Sequence, residues 1–569
     1  MTDARRAGVV VLVLLLTGGI VLSALPSFGA VRVGGIGLAW WYGVVLAPLI
    51  AAITTSICLV GAGLPASVAV WTSPALVAAL LARVFAGEPG VPLLALLAGV
   101  APLLALLVPL PEGRRDVAAA AGGLLGAGLM LWGSFVVAGD LASVLGAERW
   151  HGLLAAGVLG LAAGLAPAGR HLRGLGLTLG LLALATPLLA LIALGGPAPW
   201  QAWSAVASRP ALVFSERGAA ANDGVVVLAS TTLAFSEPHR VTALGDGVYR
   251  VFDRDGERLA VREWQLAPGD ALTLRPGDRL ELGDGARVRF EPGRRVPGVA
   301  ASGVAWADPR PGDSLGAVVD GFGVALTLAG GAVALALRRG GIPRRRSPAQ
   351  DRRRARTRIL ASLRASLVPL LVVLVTVCWG VYGALATPDA AIGTTAIAVL
   401  VALPAALPGP PWATLLIAAM VAGLAALFVA TASALSHNVA RADSGAPVRI
   451  GLWVGAVAVA ALGAVWPHDP WRAVLLACGF AASVIGAPLL AAAGGSARLA
   501  GALTGAIVFG VLTLVGGRLG PETVAVAYPA VLAAPAAWGA AVAMRAARRA
   551  SRRAGAAGRA DLVAARRRG

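Results

Sequence analysis

Few side chains in this sequence can do chemistry, and most of those singled out stand in or beside long apolar stretches. Asp320 lies about six residues into one such stretch, followed by Gly321 and Gly323. A carboxylate there serves a proton, an ion or a substrate, or it rests near a membrane surface, wetted or paired with an arginine of another helix; ionisable groups in hydrocarbon are rare enough that the functional reading must be carried forward. Arg83 stands near the outer end of its stretch, where its head can snorkel to water. His437 and the loop Trp466-Pro467-His468-Asp469-Pro470-Trp471 complete the polar features. A histidine beside an aspartate can shuttle a proton or bind a metal, but metal sites need three or four ligands and no second His or Cys lies at ligand spacing. The alternative for the loop is a turn between two helices with its tryptophans at the interface. The candidates for substrate or ion contact are therefore Asp320, Arg83, His437, His468 and Asp469, with no catalytic or metal-binding residue assigned and the cofactor content left open.

Other patterns dissolve on inspection. Gly312-Asp313-Ser314-Leu315-Gly316 matches the GxSxG nucleophile spacing, yet that motif needs a strand before it and a helix after it within an α/β sheet. Here a Pro-rich loop precedes it and an apolar stretch follows, so Ser314 reads as a helix cap. Trp40, Trp41 and Tyr42 read as an interfacial aromatic belt. No Walker A, GxGxxG, HExxH or CxxC pattern occurs. Cys58, Cys378 and Cys478 all lie in apolar stretches, as small buried hydrophobes do, and none lies where a disulfide framework would help.

The elements that must position these residues are set by composition. The 569-residue chain is 58% hydrophobic with only 13% charged residues and a mean hydropathy of +0.79. A soluble domain carries about 25% charged residues; the shortage is what a hydrocarbon environment demands. The net charge of +20 is concentrated: Arg338 to Arg364 holds eleven arginines and one acid, and Arg545 to Arg568 nine and one. Both flank apolar stretches, the signature of positive-inside orientation, and such clusters attract anionic lipid head groups. The distribution argues against a nucleic-acid partner.

A spanning helix needs about twenty apolar residues. Fifteen stretches qualify: 8–30, 36–62, 66–87, 90–110, 117–139, 152–168, 174–195, 315–337, 360–386, 390–408, 411–435, 449–467, 471–493, 497–517 and 523–546. The first resembles a signal peptide, with Arg5 and Arg6 before an apolar run, and is read as an uncleaved helix. With the N terminus inside, Arg114, Arg115, Arg170, Arg173 and the Arg338–Arg364 linker all fall inside. Fifteen crossings would then put the Arg-rich tail outside. One stretch is therefore expected not to cross, and 390–411 is the suspect, because Pro404, Pro408, Pro410 and Pro411 break a helix. A re-entrant segment is allowed only where protein or a water-filled cavity surrounds it.

The long polar interval reads differently. Runs at Ala211–Phe214, Gly224–Leu228, Val248–Phe252, Leu259–Trp264, Ala271–Leu274, Arg279–Leu282 and Arg287–Phe290 are separated by Gly-Asp-Gly, Asp-Gly and Pro-Gly-Asp turns, which supply the backbone geometry hairpins need. The expected fold is an α-helical polytopic membrane protein of about fourteen transmembrane helices with one inserted extracytoplasmic β-sandwich or β-barrel-like domain. The divisions are 1–196 for an N-terminal bundle of about seven spans, 197–313 for the β-rich domain, 314–337 for a single span, 338–358 for a basic linker, 359–547 for a C-terminal bundle of six or seven spans and 548–569 for a basic tail. The expected location is a bacterial cytoplasmic membrane, with the N terminus and tail cytoplasmic.

Three functions fit this layout. A transporter or lipid-translocating protein uses two helix sets and a broken helix. An assembly or scaffold subunit of an envelope or respiratory complex anchors through its helices and offers the β-domain to a partner protein. The layout of many spans with one external β-domain resembles membrane proteins of cytochrome c maturation; their Trp-rich haem-handling motif and paired external histidines are not evident in this sequence. An enzyme on lipid-linked substrates ranks last, since acids outside the β-domain are few: Glu88, Asp140, Glu148, Asp389, Asp443 and Glu522 are the loop candidates.

Overall fold

The computed structural model describes residues 3–24, 31–58, 72–87, 117–166, 169–214, 224–227, 231–255, 258–283, 285–297, 299–300, 302–307, 370–386, 397–405, 410–439, 446–465, 470–491, 495–519 and 528–568, with a few single positions between them. The chain is mostly helical with a separate β-sheet region. The helices are α1 (Asp3–Ala24), α2 (Leu38–Trp40, a π turn at Trp41–Leu46, then Ala47–Cys58), α3 (Pro74–Ala86), α4 (Val117–Val144), α5 (Arg149–Leu165), α6 (Gly169–Ala193) and α7 (Pro199–Ala207). After the sheets come α8 (Gly303–Ala307), α9 (Leu370–Ala386), α10 (Ile397–Ala405), α11 (Pro410–Val439), α12 (Ala446–Gly463), α13 (Pro470–Ala481, a π turn at Ala482–Gly486, then Ala487–Leu490), α14 (Gly495–Leu519) and α15 (Ala530–Arg568).

Among the described residues, five helices are long and apolar enough to cross a membrane: Leu125–Val144, Leu172–Ala193, Trp412–Ser436, Ser496–Val515 and Ala530–Ser551. That is fewer than the roughly fourteen crossings read from the sequence. Six shorter apolar helices coincide with further stretches of that reading. The stretches 90–110 and 315–337 lie almost wholly outside the described residues.

On α14 the packing is inverted relative to a helix of a water-soluble bundle. Along α14, Leu499, Leu503, Ile507, Val511 and Leu514 repeat every three or four residues and all point outward, Leu514 being 75% exposed. The opposite face presents Gly501 and Gly505, which lie against Ala537 of α15 and Ser483 of α13. Large apolar side chains outside and small residues at helix contacts is the arrangement lipid favours, because hydrocarbon tails solvate leucine and close backbone approach supplies the helix–helix attraction. The GxxxG pair Gly176 and Gly180 behaves likewise: a Cβ on Gly176 would come within 2.6 Å of the Ala426 carbonyl oxygen, and Gly180 lies against Gly423 and Leu427. As numbers rise along α6 they fall along α11, so the two helices are antiparallel.

Within the Pro-rich suspect the described residues form α10, nine residues long with Pro404 inside it. Ile397, Val399, Leu400 and Leu403 are buried, and Pro404 lies in its last turn. Val399 meets Gly383 near the end of α9. Trp379 of α9 bonds the Leu184 carbonyl and Tyr382 the Pro197 carbonyl, so α9 runs parallel to α6. The end of α9 and the start of α11 therefore lie at the same end of the bundle, with α10 between them in sequence.

The β region is a sandwich of two antiparallel four-stranded sheets. Its strands are β3 (Val225–Val226), β4 (Thr231–Ala234), β5 (His239–Ala243), β6 (Gly247–Asp255), β7 (Arg258–Leu266), β8 (Ala271–Leu274), β9 (Arg279–Leu282) and β10 (Arg287–Phe290), after a small β1–β2 hairpin at Arg32–Val33 and Ile36–Gly37. One sheet has the order β3-β10-β5-β8, the other β4-β9-β6-β7. Alternate residues such as Leu272, Leu274, Leu280, Leu282, Val288 and Phe290 fill the space between them. The repeated Pro-Gly-Asp turns are built alike: Gly269 and Gly277 take φ of 97° and 96°, while Asp270 and Asp278 accept the backbone N–H of Ala267 and Arg275. Glycine is required there because an L side chain is strained at such angles. Three strands carry the bounds read from the sequence. β4 and β5 were not expected, and Ala211–Phe214 forms only the isolated bridge Val213↔Arg295.

Candidate functional site at the sandwich–bundle junction

Of the five sequence candidates, the described residues include only Arg83 and His437. Asp320, His468 and Asp469 lie outside the described residues, as does Ser314. His437 sits in the last turn of α11, where only its backbone is described. Arg83 is half-buried in the last turn of α3. Among the described residues no group of three or more His, Cys, Asp or Glu is placed to hold a metal ion.

What the structure does assemble is a joint. α3 starts with Ser73 accepting the Leu76 N–H, has Pro74 at its first position and ends on Gly87 in the left-handed conformation, the order of signals that starts and stops a helix. Its last carbonyls, Val84 and Phe85, are met by the indole N–H of Trp306 at 2.9 and 3.1 Å. Trp306 belongs to α8, where the chain leaves the sandwich, and its side chain is fully buried. The Ala300 N–H donates to the Ala86 carbonyl at 2.9 Å. On the incoming side, Arg209 follows α7 and donates to the Leu385 carbonyl at 2.8 Å and the Ala384 carbonyl at 3.4 Å. A guanidinium at the last carbonyls of α9 satisfies orphan acceptors and suits the negative end of the helix dipole. The Gly303 N–H closes the joint by donating to the Arg209 carbonyl at 2.9 Å. Both connections of the sandwich are thus fastened to helix C-termini, one on α3 and one on α9.

The centre of the joint is aromatic. Trp40 and Trp203 meet edge to face at 4.8 Å, and Trp203 and Trp306 lie 4.9 Å apart. The ring N–H groups of Trp40 and Trp203 are buried and have no hydrogen-bond partner among the described residues. Of the sequence cluster Trp40-Trp41-Tyr42, Trp40 turns into this core, Trp41 remains partly exposed and bonds the Val33 carbonyl, and Tyr42 bonds the Leu15 carbonyl of α1.

A second polar feature lies in the helices. Asp140, 1% exposed in the last turns of α4, pairs with Arg149 in the first turn of α5. The Arg149 guanidinium also reaches the Ala464 carbonyl just past α12. Each charge stands at the unfavourable end of its helix dipole, so the pair is held by mutual attraction rather than by the helices.

Sequence reading missed Trp306, Arg209 and the Asp140–Arg149 pair. Only the last left a signal: an acid and a base nine residues apart around Gly146, whose φ of 81° reverses the chain. Comparison with family models, with curated proteins and with solved structures finds no match for this chain.

Proposed function

We propose that the chain is a multi-pass protein of a bacterial cytoplasmic membrane, crossing about fourteen times, that translocates a lipid or solute and carries its β-sandwich on the outer face. The observation that carries this reading is the return of the chain around α10, a Pro-containing helix with buried side chains: the end of α9 before it and the start of α11 after it lie at one end of the bundle. Broken helices of this kind mark binding sites in transporters, since irregular backbone is tolerated at membrane depth only where protein or a cavity surrounds it. Counting 390–411 as re-entrant leaves fourteen crossings and puts the arginine-rich tail on the side of the Arg338–Arg364 linker, in agreement with the positive-inside rule. The π turns in α2 and α13 add local irregularities of a type often found at functional sites.

A second reading, an assembly subunit whose sandwich receives a partner protein, is favoured by β7. Among the described residues it is an edge strand paired with β6, and its Val261 and Trp264 are exposed; such edges are ready templates for another chain.

The two readings separate in purified protein. Reconstituted into vesicles containing a fluorescent phospholipid, the wild-type chain is expected to carry the lipid between leaflets, and Asp320→Asn is expected to lower that rate without reducing membrane insertion. Full activity in the variant removes Asp320 from the path. No lipid movement, together with a stoichiometric partner subunit in native mass spectrometry, replaces the first reading by the second.

A further inference from the structure

His239 opens β5, and the alternation of that strand puts it on the core face with Val241 and Ala243. It is 2% exposed. The rings of Phe235, Phe214 and Phe290 surround it at 5.0, 5.6 and 6.2 Å, and among the described residues neither ring nitrogen has a hydrogen-bond partner. Buried polar groups without partners are costly and uncommon, and each calls for an explanation.

Its place in the chain supplies one. Phe214 ends the described segment that brings the chain from α7 into the sandwich, and Phe290 ends β10, from which the chain returns to α8. Beside the imidazole these two segments are zipped together. Phe214 donates to the Arg294 carbonyl at 2.8 Å, Gly293 to the Phe214 carbonyl at 2.9 Å and Val296 to the Leu212 carbonyl at 3.0 Å, while Phe214 stacks on Phe290 at 4.8 Å. The charged groups acting on the ring are Glu237, just before β5, and Glu291 and Arg294, just after β10. Arg295 donates its backbone N–H to Glu237 at 2.6 Å. On the β8 side the paired residue is Leu274, followed by Arg275 and by Asp278, whose carboxylate accepts the Arg275 N–H.

We propose that His239 is a proton-operated latch, holding the incoming and outgoing segments of the sandwich together when neutral and releasing them when protonated. An imidazolium carries two donors, and the phenyl cage offers no acceptor. Relief comes by reaching Glu237 or Glu291, which requires Phe214 or the 291–296 segment to move. That movement loosens both connections to the joint at Arg209 and Trp306, so acid outside the membrane uncouples the sandwich from the helices. The direction is set by burial, the largest influence, which lowers the His239 pKa from its ordinary 6.5; Glu237 and Glu291 act upward and Arg294 downward. The opened chain takes up the proton more readily than the closed one. The latch is therefore fully stable above about pH 6.5 and is lost as pH falls through the lowered value.

The test is hydrogen exchange on the full-length protein in nanodiscs at about pH 7.5 and about pH 5.5, on either side of the ordinary histidine pKa, corrected for intrinsic exchange. In the wild type, protection at the amides of Phe214, Gly293 and Val296 is expected to fall about tenfold more on acidification than at Leu280 of β9, as local opening would produce. His239→Phe is expected to abolish the difference. Unchanged wild-type protection, or the same loss in His239→Phe, overturns the proposal. Should His239→Phe not be recovered folded, Glu237→Gln decides: removal of its charge moves the opening to lower pH if His239 is the switch, and a midpoint that does not move rejects it.

Discussion

Trp306→Ala is expected to weaken the attachment of the sandwich to the bundle more than any other substitution in the joint. The change removes a fully buried indole, takes the donor from the Val84 and Phe85 carbonyls and leaves Trp203 without its neighbour at 4.9 Å. Truncations of buried tryptophan cost about 3–5 kcal/mol. Trp306→Phe keeps most of the packing and loses only the donor, for about 1–3 kcal/mol, the cost of a buried acceptor left unmade. Thermal denaturation in detergent, read together with exchange protection at the Ala300 and Gly303 amides, checks both. The order Ala worse than Phe worse than wild type is predicted, with protection at those amides falling in step. Equal stability of Trp306→Ala and wild type contradicts the joint.

Asp140→Ala is the second large effect. Among the described residues it leaves the Arg149 guanidinium, 18% exposed, with the Ala464 carbonyl as its partner. Breaking one side of a buried ion pair costs about 3–5 kcal/mol, whereas replacing both partners by apolar residues of similar volume is often neutral or stabilising. The double variant Asp140→Leu with Arg149→Met is therefore expected to recover most of the loss, and a double-mutant cycle on thermal stability measures the coupling. If the double variant is as unstable as Asp140→Ala, the pair contributes through something other than mutual charge compensation.

How much of this was legible beforehand depended on how local the determinant is. The apolar stretches and the basic clusters follow from composition and needed no tertiary information. The last three strands were readable because Pro-Gly-Asp and Gly-Asp-Gly punctuate them, and each such turn is decided by its own residues. β4 and β5 were not: Thr231–Ala234 has a single large apolar residue, Leu233, and Pro238 followed by His239 and Arg240 reads as a loop. Only the core face shared with Val241 and Ala243 marks His239 as a strand residue. The joint was harder still. Nothing near Arg209 or Trp306 in the sequence announces that each ends on the carbonyls of a helix far away in the chain, because helix C-termini are acceptors whatever their sequence. The same applies to α10, whose prolines announced a break but not that its flanks return to one end of the bundle. The sequence candidates Asp320, His468 and Asp469 stand outside the described residues.

The account rests on one orientation: sandwich outside, arginine-rich helix α15 inside. After replacement of Cys58, Cys378 and Cys478, single cysteines at the exposed positions Arg262 of β7 and Arg549 of α15 can be probed with a membrane-impermeant maleimide on intact cells bearing permeabilised outer layers. The cysteine at 262 should label in intact cells and the cysteine at 549 only after lysis; labelling of 549 in intact cells, with 262 protected, would invert the topology and remove the proposed function with it.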